Sequence, residues 1–315
     1  MSMAAPPQNE DLNKDLGFGS RVSQQSRQRF LNRDGTFNVE RKGLGFLRSH
    51  NIYHWFLTIS WVKFFLLIAA AYFVINIVFA FGYMLCGTDA LHGLEGYSVD
   101  RAFLEEFFFS VQTLATIGYG RLSPNNMAAN VIVTFEALVG LLGFALATGL
   151  LFARFSRPNA KIIFSNNAII APYRDAKALM FRIANQRSNQ LLDVQAIVTL
   201  GLLETVNGVT SRKFHQLSLE REKVVFFPLH WVIVHPIDET SPLHGFTKER
   251  FTEADAEIFI LLTGTDETFS QSVHARSSYK HEEVRWGVKF TDMFLPTDDG
   301  IMSIDLRKIH DVENE

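Results

Sequence analysis

The chain has 315 residues, of which 47% are hydrophobic and 20% are charged, and its formal net charge is −3. This length is enough for two domains, and the near balance of charges gives no reason to expect a nucleic-acid partner. Cys86 is the only cysteine, which excludes an intrachain disulfide and any metal or redox motif built from cysteines. The first fifty residues contain no apolar run, so we expect no signal peptide.

The N-terminal segment, residues 1–47, begins with about 30 residues rich in Gln, Asn and Ser, a composition typical of a polar tail. The sequence "RSHNIYHWFLTISW" then mixes histidines with tyrosine and tryptophan. This amphipathic aromatic composition favours a helix at residues 48–60 that lies in the headgroup zone of a membrane. The alternative is a plain cytosolic connector.

Two long apolar runs follow, residues 62–86 and 127–152, and each contains one charged residue, Lys63 and Glu136 respectively. As helices they would be about 38 Å long, enough to cross a hydrocarbon core of about 30 Å. Buried helices of a large soluble core are the alternative, but runs of this length with so few charges favour membrane spans. We therefore predict spans at about 62–86 and 127–155.

The placement of lysines and arginines predicts the orientation of these spans. Basic residues are frequent before the first span and directly after the second, whereas the loop at 87–126 has only Arg101 and Arg121. The positive-inside rule therefore places both termini in the cytoplasm and the loop outside.

The segment "DRAFLEEFFFSVQTLA" between the spans has helical character, with Asp100 as the expected N-cap. It would be about 22 Å long, too short to span, so it must be re-entrant or lie outside. Non-helical backbone at membrane depth is tolerated only where it is buried in protein or lines water.

The next five residues, Thr116, Ile117, Gly118, Tyr119 and Gly120, have the chemistry of an ion-binding strand. Backbone carbonyls that all point one way can replace the hydration oxygens of K⁺, and this geometry needs alternating backbone handedness, which glycine adopts without a Cβ penalty. The Thr116 hydroxyl could add a ring of oxygens. Ile117 and Tyr119 would pack against the preceding helix, and four copies around an axis would be required.

After residue 158 the sequence consists of short segments that are rich in β-branched residues and in which apolar and polar residues alternate. Turn-rich pieces such as "TVNGVT" and "PTDDG" separate them. This pattern predicts an antiparallel β sandwich of roughly 150 residues, over 158–315. A mixed α+β domain is the alternative.

With these motifs in view, the chain resembles the inward-rectifier potassium channels, most closely their prokaryotic KirBac group. The resemblance extends from about Leu31 onward and is specific in "FFFSVQTLATIGYG", "ARFSRP", "HPIDETSPLHG" and "RWGVKF". It implies a homotetramer of fourfold symmetry with an interfacial slide helix at 49–60, a pore helix at 101–114 and a selectivity filter at 116–120. It also implies an immunoglobulin-like cytoplasmic domain.

Residues on the second span recur at intervals of four and suggest one pore-lining stripe, although core packing or lipid contact is the blander interpretation. The stripe consists of Glu136, Gly140, Phe144, Thr148 and Phe152. The resemblance places Phe152 at the bundle-crossing gate, where an apolar collar closes a pore by dewetting. Glu136 is equally compatible with a protonated or hydrogen-bonded acid that braces the filter.

Three glycines of this span, Gly140, Gly143 and Gly149, are candidates for bending or for close helix approach, and the sequence does not separate these uses. Basic residues just inside the membrane, Arg154, Arg157 and Lys161, are candidates for binding anionic lipid headgroups, with ordinary positive-inside bias as the alternative.

Some positions depart from the pattern of the family. Phe144 stands where strong rectifiers carry an acid that binds Mg²⁺ and polyamines, and Gln112 stands behind the filter where many relatives have glutamate. The segment at 268–275, "TFSQSVHA", matches the family's G-loop but lacks its usual glycine. The extracellular cysteine pair of eukaryotic relatives is absent.

We therefore expect a potassium-selective channel gated by the bundle crossing, the cytoplasmic domain and anionic lipid, with K⁺ in the filter and no organic cofactor. A weakly selective monovalent cation channel is one alternative. A membrane-anchored β-sandwich sensor is another, but it leaves the 116–120 pentamer unexplained. The sequence shows no metalloprotease, nucleophile-elbow or P-loop motif, so we do not expect an enzyme.

Overall fold

The computed structural model describes residues 28–39, 52–156, 160–187, 189–206, 209–227, 229–295 and 303–315. The chain divides into two compact units, residues 42–157 and residues 1–41 together with 158–315. We call these the pore unit and the β domain.

The pore unit consists of helices α1 (Ile52–Thr58), α2 (Trp61–Leu85), α3 (Val99–Leu114) and α4 (Met127–Phe155). Two of them, α2 and α4, are long and apolar enough to cross a membrane. Only 17% and 6% of their most apolar windows are buried within the chain, which argues against helices of a soluble core. Of the predicted interfacial helix, residues 48–51 lie outside the described residues.

Polar caps set where the long helices begin. The Ser60 side chain accepts a hydrogen bond from the amide of Lys63, and that of Asn126 accepts one from Ala129 at 2.9 Å. The N-cap of α3 is Ser98, so the expectation of Asp100 was wrong. Asp100 lies in the first turn, where a carboxylate is favourable to the helix dipole. A short ladder of β1 (Leu91–His92) with β2 (Ser123–Pro124) joins the two ends of the intervening loop.

The β domain is a sandwich of two five-stranded sheets. The first sheet has the order β11-β10-β6-β7, with β8 also paired to β6, and the second has the order β12-β4-β5-β3, with β9 also paired to β5. The strands of the first sheet are β6 (Leu191–Val206), β7 (Val209–Gln216), β8 (Lys223–Phe226), β10 (Glu257–Asp266) and β11 (Gln271–Lys280). Those of the second are β3 (Ile162–Phe164), β4 (Ala168–Tyr173), β5 (Ala176–Asn185), β9 (His230–Ile237) and β12 (Val284–Trp286).

Short elements complete the β domain, namely one short helix and two two-stranded ladders. These are α5 (Lys248–Glu253), β13 (Val288–Phe290) with β16 (Val312–Asn314), and β14 (Phe294–Leu295) with β15 (Ser303–Ile304). The described ladders are antiparallel except for β12 with β4, which is parallel. The turn at His281–Glu283 carries the chain from the end of β11 in the first sheet to β12 at the edge of the second.

The main core lies between the sheets. Phe181 and Ile183 of β5 pack with Val198, Leu200 and Ile258 of the facing sheet. Strand β5 is buried along its last eight residues, not at alternate positions, because Met180 and its neighbours on the other face belong to a second apolar cluster. Burial on both faces explains why its sequence is almost continuously apolar.

The described part of the N-terminal segment, residues 28–39, belongs to the β domain and is not a separate tail. Phe30 and Leu31 pack against Phe214 and Phe259, and Leu31 forms an antiparallel bridge with Phe37. Arg29 forms an ion pair with Glu283 at 2.9 Å. The prediction of a polar tail over residues 1–30 is therefore wrong at its C-terminal end.

Candidate functional site

The backbone after α3 alternates in handedness. Thr116, Gly118 and Gly120 have positive φ angles of 58°, 56° and 77°. Such alternation turns successive carbonyl groups toward one side of the strand, as ion coordination requires. The sequence indicated the two glycines, but Thr116 is a third left-handed position at a residue with a Cβ, which is a strained conformation for a β-branched side chain.

Hydrogen bonds from the backbone amides hold this strand to the last turn of α3. The amides of Ile117 and Gly118 both donate to the carbonyl oxygen of Gln112, at 2.7 and 3.4 Å, and the amide of Thr116 donates to Thr113 at 3.0 Å. The contribution of Gln112 to these contacts is its backbone carbonyl. A glutamine in place of the family's glutamate therefore leaves these contacts unchanged.

One chain does not enclose this strand. Residues 115–120 are all exposed, and Ile117 and Tyr119 are 48% and 75% exposed. The packing of these two side chains against the preceding helix therefore stays a prediction for the assembled channel. Large apolar side chains so exposed at the end of a non-spanning helix need a neighbouring molecule to cover them.

Glu136 does not lie with the exposed residues of its helix. Its side chain is fully buried, and its carboxylate contacts the hydroxyl groups of Tyr83 and Ser110. The pore-lining prediction for Glu136 is therefore wrong. Steps of four residues drift by about 40° on a helix of 3.6 residues per turn, so Glu136 and Phe152 face directions about 160° apart.

Gly140 lies against the end of the re-entrant helix. A Cβ at this position would lie 2.4 Å from the carbonyl oxygen of Leu114, whereas at Gly143 and Gly149 it would meet nothing within 4 Å. Of the two uses weighed for these glycines, Gly140 serves close approach of helix α4 to α3.

The remaining members of the predicted stripe are accessible in the single chain. Phe144 and Phe152 are 76% and 71% exposed, and Thr148 is exposed as well. They lie on the C-terminal half of α4, beyond the residues that contact α3.

An ion pair that the sequence did not reveal lies beside the strand. Arg121, directly after Gly120, pairs with Glu105 of α3. Arg121 is 54% exposed at its side chain and Glu105 only 15%. The sequence signal was weak, since an acid and a base 16 residues apart in a loop-helix segment do not indicate a contact.

The Arg154 side chain is buried and donates to backbone carbonyl oxygens. The prediction that it binds lipid headgroups is therefore wrong. Its guanidinium donates to the carbonyl oxygens of Phe56 and Ile59, the latter at 2.7 Å, and lies 4.5 Å from the ring centre of Trp61. Because the last carbonyls of a helix lack intrahelical partners, Arg154 caps the C-terminus of α1. Lys161 is exposed, and Arg157 lies outside the described residues.

The segment at 268–275 comprises the end of the turn between β10 and β11 and the first five residues of β11. Asp266 accepts hydrogen bonds from the amides of Thr268 and Phe269, at 2.9 and 3.2 Å, and Ser270 adopts a φ of 50°. Ser270 thus takes the left-handed conformation for which glycine is usual.

Known proteins resemble the chain in both units. Residues 162–314 match the family described as "Inward rectifier potassium channel C-terminal domain", and residues 47–157 match the family described as "Ion channel". The inward rectifier potassium channel Kirbac3.1 of Paramagnetospirillum magnetotacticum is 42% identical over 90% of this chain and 95% of its own length. The G protein-activated inward rectifier potassium channel 3 of mouse and that of rat are each 27% identical over 90% of this chain and 77% of their own.

The two matched families follow each other in the same order as the two structural units, spanning helices first and β sandwich second. Together with the 42% identity over nearly the full chain, they show that this protein belongs to the family of inward rectifier potassium channels.

Proposed function

We propose that four copies of the chain form a potassium-selective channel in which residues 116–120 are the filter. The observation that carries this proposal is the alternation of positive φ at Thr116, Gly118 and Gly120 in an exposed strand that follows a non-spanning helix. One such strand offers carbonyl oxygens on one side of an ion. Fourfold repetition encloses a dehydrated K⁺ and covers the exposed Ile117 and Tyr119.

The proposed gate is a collar formed by Phe152 of each subunit, with Phe144 and Thr148 lining the cavity above it. Their exposure in the single chain supports this assignment. Four apolar rings near the end of the second span would exclude water and so block ions when they approach. The segment at 268–275 of the β domain is proposed as a second constriction.

We further propose an inner-membrane channel with both termini and the β domain in the cytoplasm, following the distribution of basic residues. Anionic lipid is the proposed modulator, and Lys161 and Arg157 are the candidates for its headgroups. K⁺ in the filter is the only cofactor that we propose, and passive conduction requires no catalytic step.

Uptake of radioactive rubidium into proteoliposomes tests the proposed function. With K⁺ trapped inside, we expect uptake that Ba²⁺ blocks, that excess external Na⁺ does not compete away, and that changes with the content of anionic lipid. Equal permeation of Na⁺ and Rb⁺ would favour a weakly selective channel. A folded protein without flux, purified as a monomer or dimer, would favour a membrane-anchored sensor.

Gly118→Ala tests the filter assignment. A Cβ at Gly118 meets nothing within 4 Å, but the φ of 56° is unfavourable for alanine by about 1–2 kcal/mol, so the strand should leave its alternating conformation. We expect loss of K⁺-selective flux with a folded β domain. Gly96→Ala is the matched control, since Gly96 also has a positive φ of 84° and open space but lies in the outer loop. Selective flux unchanged by Gly118→Ala would be evidence against this filter.

A further inference from the structure

A chain of hydrogen bonds crosses the pore unit behind the filter. It starts at Tyr83 of α2, whose hydroxyl contacts one carboxylate oxygen of Glu136 on α4. The other carboxylate oxygen contacts the Ser110 hydroxyl on α3. Ser110 Oγ lies 3.0 Å from Asn76 Oδ1 on α2, and Asn76 Nδ2 donates to the carbonyl oxygen of Tyr72 at 2.7 Å.

Only one assignment of donors gives each contact in this chain of hydrogen bonds a proton. A carbonyl oxygen only accepts, so the bond to Tyr72 orients the Asn76 amide and leaves its Oδ1 as an acceptor facing Ser110. A serine hydroxyl has one hydrogen. If Ser110 gives it to Asn76, the contact between Ser110 and Glu136 needs a proton from Glu136. An ionised Glu136 would take that hydrogen and leave two oxygens facing each other without a proton.

An ionised carboxylate here would have the two hydroxyl groups as partners but no basic side chain near it on either spanning helix. Glu136, Ser110, Asn76 and Tyr83 are all fully buried. The basic residues of the two spanning helices are Lys63 and Arg154. Each lies about 27–30 Å along its helix from this chain, since Lys63 is 20 residues from Tyr83 and Arg154 is 18 residues from Glu136. Burying a charge without a partner is costly.

We propose that Glu136 is a neutral carboxylic acid in the folded channel and acts as a positioning residue for the filter. Its proton goes to Ser110, that of Ser110 goes to Asn76, and Glu136 accepts from Tyr83, so every contact has one donor. The chain fixes α3 against both spans two residues before Gln112, whose carbonyl oxygen accepts from the filter amides. This inference rests on the proposed function.

Glu136→Gln and Glu136→Leu separate a neutral acid from a required charge. A glutamine amide can donate to Ser110 and accept from Tyr83, so we expect the ratio of Rb⁺ to Na⁺ flux to stay within about threefold of the unsubstituted channel. Leucine leaves both hydroxyls buried without this partner, and we expect that ratio to fall about tenfold or more. If glutamine is as damaging as leucine, the neutral assignment is wrong.

Infrared difference spectroscopy gives a readout that packing alone would not move. At neutral pH, the difference spectrum between the full channel and Glu136→Gln should contain the carbonyl stretch of a protonated carboxylic acid that the variant has lost. Replacement of the exposed Glu95 by glutamine should leave that band in place. Selective Rb⁺ flux without any such band would overturn the inference and leave the proposed function standing. Absence of flux from the unsubstituted channel would instead count against the proposed function.

Discussion

At the scale of single residues, the methyl group that separates glycine from alanine has opposite effects at different positions of α4. In a helix interior, alanine is favoured over glycine by about 0.5–1 kcal/mol. At Gly140 the added Cβ would lie 2.4 Å from the carbonyl oxygen of Leu114, and such overpacking costs about 1–3 kcal/mol. We expect Gly140→Ala to lower the thermal stability of the detergent-solubilised oligomer and to reduce selective Rb⁺ uptake.

The control for this prediction is Gly149→Ala on the same helix. It gains the same helix propensity, but its Cβ would meet nothing within 4 Å in the chain. We therefore expect an oligomer at least as stable as the unsubstituted one. Equal loss of stability in both variants would show that helix bending, and not the contact with Leu114, makes the glycine necessary.

At the scale of elements, Arg154 of α4 contacts two backbone carbonyls at the end of α1 and two aromatic rings at the start of α2, Trp61 and Phe64. Lysine keeps the positive charge but lacks the guanidinium fork that reaches both carbonyls. Hydrogen bonds to charged groups contribute about 1.5–3 kcal/mol, so Arg154→Lys should loosen α1. We expect faster amide hydrogen exchange over residues 52–60 in the variant.

This prediction also separates the observed contacts from a headgroup role. If Arg154 bound lipid through its charge, Arg154→Lys would preserve both the lipid response and the exchange rates. The exposed Lys161 is the comparison: Lys161→Gln should leave exchange in α1 unchanged and weaken the dependence of Rb⁺ uptake on anionic lipid. Unchanged exchange in Arg154→Lys would contradict the capping role.

Most predictions of helices and strands depended on local sequence patterns such as apolar runs. The span at about 62–86 corresponds to Trp61–Leu85 because 25 residues with a single charge leave little choice. Contacts across long sequence separations left no such signal. The partners of Arg154 are 95 and 98 residues away, so its position beside the membrane indicated a lipid-headgroup ligand or ordinary positive-inside bias. Likewise, the pore-lining prediction for Glu136 depended on intervals of four residues along α4. Such intervals do not stay on one face of a helix with 3.6 residues per turn.

At the scale of the whole molecule, the N-terminal segment shows why the division into domains was only partly predictable. Arg29 and Arg33 both pair with Glu283, about 250 residues later, and the Arg33 guanidinium donates to the carbonyl oxygen of Ser165 at 2.9 Å. The hydroxyl groups of Ser277 and Ser278 donate to the backbone carbonyl oxygens of Arg33 and Leu31 in the same segment. The polar composition of this segment predicted a tail, because the sequence does not show that its arginines form ion pairs and hydrogen bonds with distant residues.

The buried histidines of the β domain predict how its stability depends on pH. Burial lowers the pKa of His235, whose Nδ1 lies 2.7 Å from the Ser218 carbonyl oxygen and whose Nε2 lies 2.8 Å from Ser241 Oγ. The bond to the Ser218 carbonyl and, to a smaller extent, the charge of Asp238 oppose this lowering of the pKa only partly. Burial also lowers the pKa of His230, with a further contribution from Arg182 opposed by Asp292.

A lowered histidine pKa means that the unfolded chain binds protons first as the pH falls through about 6.5, so the folded state loses stability there. Glu257 acts with the opposite sign, since burial raises the pKa of its carboxyl above 4.5. We therefore expect the unfolding temperature of the β domain, followed in the full chain, to fall from pH 8 to pH 6. His235→Gln cannot take up a proton and should flatten this fall, whereas the exposed His244→Gln should not. Because glutamine keeps a donor and an acceptor at position 235, a slope that persists in this variant would place the titration at His230 or elsewhere.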